Sequence, residues 1–189
     1  MPFIRMIHEN EAEGKLAELY ARIGRARGGV ANVMKIHSLH PDAMEKHFEL
    51  YRTLMFRRSE LSRPLREMLG VIVSAHNQCS YCVMHHAEPL RAFGIEEKII
   101  ETLKEGKIHA SLPEAEQEML RYAVALTRRS AAEQVRIERL RTLGWSDRAI
   151  LDGTLIIGYF NFVNRVVLGL GVELEADFFR TCRPDDTED

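Results

Sequence analysis

The sequence predicts an all-α protein, and three observations carry that reading. Apolar residues recur at helical spacing in segment after segment, bounded by capping residues or proline at their starts and glycine at their ends. Sustained period-2 alternation and hairpin turns between β-branched runs are missing, so strands find no support. The stretch Met68 to Ala75 is apolar all round, the mark of a helix buried on every side.

Taken in order, Glu11 to Ile23 reads as a short helix, with Leu16, Leu19, Tyr20 and Ile23 on one side and acidic residues at its start. Gly24 to Gly29 reads as a basic, glycine-rich loop. Asn32 is a candidate cap for a brief helix to Leu39. Pro41 opens a longer one to Arg58 that carries Met44, Phe48, Tyr51, Leu54 and Met55. His37, His40 and His47 on these segments lack a carboxylate partner and read as surface or packing residues. Ser62 and Pro64 start the next helix; Pro89 falls inside its successor, which Gly94 ends. Ile95–Glu105, Pro113–Arg129, Glu133–Leu143 and Arg148–Gly169 follow, the last capped by Ser146 and Asp147. One domain over 1–189 is expected: N-terminal helices in 11–58, a central pair in 62–94, C-terminal helices in 95–180, and an acidic tail, 183–189, that frays.

Chemistry concentrates between Glu67 and His86. With the chain helical beyond Gln78, Cys79, Cys82 and His86 fall at i, i+3 and i+7 on one face. Cys79 stands near a helix start, where unpaired N–H groups favour a thiolate. A straight helix would hold Glu67 roughly 18 Å from Cys79. A turn at Asn77 and Gln78 instead returns His86 to about one helical turn from Glu67, roughly 4–5 Å, within reach of a side chain or one water. A carboxylate orienting an imidazole beside a thiol is a proton relay. The competing reading pairs Glu67 with Arg63 or Arg66 on the helix's first turn.

The spacing Glu67, eleven residues, Cys79, two residues, Cys82, three residues, His86 resembles the motif of the alkylhydroperoxidase D-like family of the carboxymuconolactone decarboxylase superfamily. Ala31-Asn32-Val33, Leu61-Ser62 and Phe160-Asn161-Phe162-Val163-Asn164-Arg165 resemble its peroxidase-related branch, so the likeness spans about residues 30–175. Tyr81 departs from members with a second histidine between the cysteines. The resemblance implies an AhpD-like helical bundle around an antiparallel pair carrying Cys-x-x-Cys. It implies a thiol peroxidase in which Cys82 attacks the hydroperoxide, Cys79 resolves the sulfenic acid as a disulfide, His86 is the base and Glu67 orients it. Metal and organic cofactor are not needed, an external dithiol or disulfide reductase supplies electrons, and the protein is a homo-oligomer, a hexamer or trimer. Helix position alone allows the opposite order of the cysteines.

Two other classes fit some residues. His76, Cys79, Cys82 and His86 could be a structural zinc set, although such sites usually draw ligand pairs from separate segments. A thiol–disulfide oxidoreductase or helical adaptor without peroxidase activity is the second. Asn161, Asn164 and Arg165 form a remote polar cluster on the last helix, and Cys182 has no assigned role. The 189 residues are 46% hydrophobic and 29% charged with a net charge of −2, ordinary for a soluble protein and without the basic stripe of a nucleic-acid binder. No run of membrane-spanning length, signal peptide or disulfide framework is apparent, so a cytoplasmic location is expected.

Overall fold

A computed structural model describes residues 1–129 and 133–182. The described residues form α1 (Gly14–Arg27), α2 (Asn32–Lys35), α3 (Pro41–Phe56), α4 (Arg63–His76), α5 (Ser80–Ala92), α6 (Glu97–Lys104), α7 (Glu114–Arg129), α8 (Gln134–Thr142) and α9 (Asp147–Leu170), with 3₁₀ turns at Glu9–Glu11 and Phe178–Thr181 and no strand among them. The acidic tail 183–189, expected to fray, lies outside these residues.

The molecule is built on α4. Ten of its residues, Leu65 through Ser74, are buried, and α5, α9, α7 and α6 pack around it. It starts where the sequence places it: the Ser62 hydroxyl accepts from the Leu65 N–H, with Pro64 in the first turn. The main core gathers α4, α5, α6, α7 and α9; a smaller one joins α1 to α3 through Leu16, Tyr20, Ile23, Met44 and Phe48. Val33 and Tyr51 touch both. Arg66 is buried but does not pair with Glu67. Its guanidinium donates to the Leu61, Met55 and Arg57 carbonyls, at 2.9, 3.0 and 2.8 Å, closing the carbonyl end of α3.

Several expectations are corrected. α1 passes through Gly24 and stops only at Gly28, in the left-handed region (φ 78°); burial of Ala26 and Arg27 favours the extra turn over a glycine loop. Ala31, not Asn32, precedes α2, and the Asn32 amide instead donates to the Glu173 carbonyl (3.0 Å). α9 is long and apolar enough to cross a membrane by length and composition, contrary to the sequence reading. Asp152 and Arg165 mask that run in the sequence, and in the fold much of its apolar surface faces α4, α7, α3 and α8.

Candidate active site

The turn at 77–78 forms as expected. Asn77 ends α4, and Gln78 takes a left-handed conformation (φ 57°), so the chain doubles back into α5. Asn77 anchors the turn to α9 by donating to Asn161 Oδ1 (3.1 Å) and Asn164 Oδ1 (2.9 Å). Asn164, fully buried, donates to the Ser74 hydroxyl (3.0 Å). The asparagines of the remote cluster thus belong to the site, whereas Arg165 is exposed and donates to the Asn161 carbonyl one turn back.

Glu67 and His86 meet directly. The Glu67 Oε2 to His86 Nδ1 distance is 2.6 Å, so no water is needed between them. Arg63 holds the other carboxylate oxygen at 2.9 Å, so the relay pairing and the first-turn pairing exist together. Glu67 is 1% exposed. Burial raises its carboxyl, but His86 and then Arg63 outweigh burial and hold it below the ordinary value. The edge of Phe160 packs on the His86 ring, centroids 4.5 Å apart, and fixes the imidazole from the α9 side.

Cys79 is the residue before α5 rather than a member of its first turn. Cys82, His85, His86 and Pro89, at i, i+3, i+4 and i+7, share the face of α5 that lines a cavity of about 60 Å³. A water needs roughly 10–15 Å³ of such space, so several waters or a small polar head group fit. Tyr51, Tyr159, Val33 and Met34 supply much of the remaining wall, with Arg27 at one side. Cys79 lies behind, with no exposure, and does not line the cavity. Both residues are thiols here. Their mutual hydrogen bond is the largest influence on each: it draws the Cys79 thiol below its ordinary value and pushes Cys82 well above its own. Burial raises both, and the Asn164 amide opposes burial at both.

Two residues that the sequence gave no reason to place here also join the site, Cys182 on the cavity wall and Glu175 behind His85. Cys182, left without a role, is buried and lines the cavity; its Sγ lies 3.5 Å from His85 Nδ1. Glu175 lies 3.0 Å from His85 Nε2 through Oε2, and the Tyr81 hydroxyl donates to its Oε1 (3.0 Å). The segment after α9 has no helical period, so only the folded chain brings these groups together. His76, which the zinc alternative requires, turns its ring toward Gly106 beyond α6. His47 is a packing residue, its Nε2 2.8 Å from the Tyr159 hydroxyl.

An all-α bundle wrapped around this helix pair defines an AhpD-like protein. Residues 3–186 match the family model of the PA26 p53-induced protein (sestrin), and the chain belongs to that family. Among solved structures it is similar to an uncharacterized peroxidase-related protein from Ralstonia eutropha JMP134 described as an alkylhydroperoxidase AhpD core, at 24% identity and a TM-score of 0.85 over 96% of each chain. It is also similar to an uncharacterized peroxidase-related protein from Silicibacter sp. TM1040, at 27% identity and a TM-score of 0.79, covering 96% of this chain and 93% of that one. The debrominase Bmp8 shares the fold at 18% identity and a TM-score of 0.75 over 95% of each chain. The fold therefore accommodates more than one activity. Among curated proteins none matches the sequence.

Proposed function

We propose that the chain is a thiol peroxidase that reduces hydroperoxides with the Cys79–Cys82 pair. The observation that carries the proposal is the 2.6 Å Glu67–His86 contact, which sets the imidazole on the cavity wall that Cys82 shares. Cys82 is the attacking sulfur because it faces the cavity, while Cys79 sits behind it. With Nδ1 held by Glu67, the His86 Nε2 is the nitrogen that takes the thiol proton. The Cys82 thiolate attacks the O–O bond; one oxygen stays on sulfur as the sulfenic acid, and the other leaves as an alkoxide that recovers the proton from His86. The Cys79 thiol then displaces water, giving the disulfide, and an external dithiol returns both cysteines to thiols while becoming a disulfide itself. This chemistry needs no metal or organic cofactor. A cytoplasmic location, where dithiol donors are plentiful, and assembly into a homo-oligomer belong to the same proposal.

The test is hydroperoxide consumption by the purified protein with a dithiol donor. Turnover that disappears in Cys82→Ser supports the assignment; full multi-turnover activity in that variant overturns it. Turnover should also survive chelation, and a chelator that both removes stoichiometric zinc and unfolds the protein would favour a structural metal instead.

A further inference from the structure

A second thiol–imidazole–carboxylate line enters the same cavity, and the peroxide chemistry above leaves it unused. Neighbouring histidines of α5 diverge: His86 turns to Glu67, and His85 turns to Glu175 (3.0 Å) and Cys182 (3.5 Å). Glu175 is itself fixed by the Tyr81 hydroxyl and the Asn32 backbone N–H. Cys182 follows the 3₁₀ turn Phe178–Thr181, which Arg27 ties down through the Thr181 carbonyl (3.2 Å) while the Phe178 ring packs on His85. Cys82 and Cys182 thus line one cavity of about 60 Å³, with a base in contact with the second sulfur.

We propose that Cys182 is a third redox thiol, which opens the Cys79–Cys82 disulfide by exchange and moves it to Cys82–Cys182. The inference rests on the reading that Cys79 and Cys82 form a disulfide. Burial pushes the Cys182 thiol up to about 12, so it is protonated at neutral pH and attacks only with a base at hand. Burial also lowers His85, against the opposing pull of Glu175, leaving it a neutral acceptor. In the exchange His85 takes the Cys182 proton, the Cys182 sulfur bonds to Cys82, and the Cys79–Cys82 bond breaks. Cys79 leaves as a thiolate and recovers that proton. One disulfide is present before and after, so no outside oxidant or reductant is consumed. Cys82 is the sulfur attacked because it faces the cavity, and the Cys82 N–H and Asn164 amide stabilise the departing Cys79 thiolate. The external dithiol then meets a disulfide that ends in a short turn on the cavity wall, instead of one whose second sulfur, Cys79, has no exposure.

The test uses the full chain oxidised with diamide, followed by acid quenching, alkylation of free thiols and peptide mapping by mass spectrometry. Diamide replaces hydroperoxide so that exchange is read whether or not hydroperoxide is the natural oxidant. The wild type should yield both Cys79–Cys82 and Cys82–Cys182 peptides, and Cys79→Ser should convert wholly to Cys82–Cys182. His85→Gln should slow exchange at neutral pH by at least about tenfold, the lower range of general-base support, with the rate recovering as the pH rises and Cys182 ionises without help. The charged and titratable groups facing Cys182 are Arg27 of α1, Tyr51 of α3, Glu67 of α4, His85 and Glu88 of α5, and Glu175. Fully alkylated Cys182 in every oxidised sample of the wild type and of Cys79→Ser would overturn the proposal. A parallel sample treated with hydroperoxide separates the two readings: disulfides with diamide but none with hydroperoxide would sink the peroxidase and leave the exchange standing.

Discussion

Because Glu67 is buried yet holds both Arg63 and His86, removing its charge acts on activity and on stability through different partners. Glu67→Gln keeps the size and a hydrogen-bonding group, and should lower peroxide turnover at neutral pH on the order of 10–100-fold. His86→Ala should cost at least as much, and the double variant should fall far short of the product of the two effects, since both serve one proton path. Simple multiplication of the two losses in a rate assay would show that they act separately. Stability carries a sign of its own. The Glu67 carboxyl is held below its ordinary 4.5, so its contribution is complete above that value and is lost as the pH falls through the lower folded one. Acid unfolding of Glu67→Gln, followed by circular dichroism, should therefore be shallower than that of the wild type below about pH 4.5. At the sulfurs, Cys79→Ser combined with Cys182→Ser should leave a single turnover that ends at a sulfenic acid trappable by dimedone. Glu67, Cys82 and His86 were legible because helical period and one turn fix their relative positions, whereas Cys79, expected on the same face, precedes α5 and does not line the cavity. Cys182 and Glu175 were not legible, since their place depends on contacts to His85, Tyr81 and Asn32 far away in sequence.

At the scale of elements, the crossing of α4 and α9 sets the height of the His86 ring. A Cβ added at Gly70 would lie 2.6 Å from Phe160 Cζ, and Phe160 is the fully buried ring whose edge packs on His86. Gly70→Ala must push that ring, and overpacking of this kind costs about 1–3 kcal/mol. It should also reduce turnover, because the imidazole moves with its support. Gly24→Ala is the contrasting case: the space around Gly24 is open and the residue lies inside α1, so alanine should stabilise by roughly 0.5–1 kcal/mol. Paired denaturation curves check both, and a Gly24→Ala variant weaker than the wild type would mean that the glycine marks a loop after all. The sequence could not decide this, because a lone glycine near a helix end serves equally as terminator or passenger. Burial of Ala26 and Arg27, a tertiary effect, makes it a passenger.

For the whole molecule, α9 has two apolar faces and the fold covers only one of them. Ile156, Ile157, Phe160, Val163 and Val167 are buried, while Leu151, Leu155 and Phe162 stand 51%, 45% and 49% exposed on another side. Those three recur at helical spacing and so form a continuous stripe, which the open surface at Gly158 extends. Across the adjoining groove, Leu50 of α3 is also exposed. A contiguous apolar surface of this sort fits an association site, and a second copy of the same chain is the occupant that the proposed homo-oligomer requires. Leu155→Glu places a charge in the middle of the stripe without touching the thiol cavity. It should convert the assembly to monomers in sedimentation velocity while the monomer keeps its helical content. Turnover per chain should persist, because every residue of the relay comes from one copy. A variant that sediments like the wild type would show that this stripe is not the contact, and loss of turnover on dissociation would mean that the cavity is completed by a neighbour.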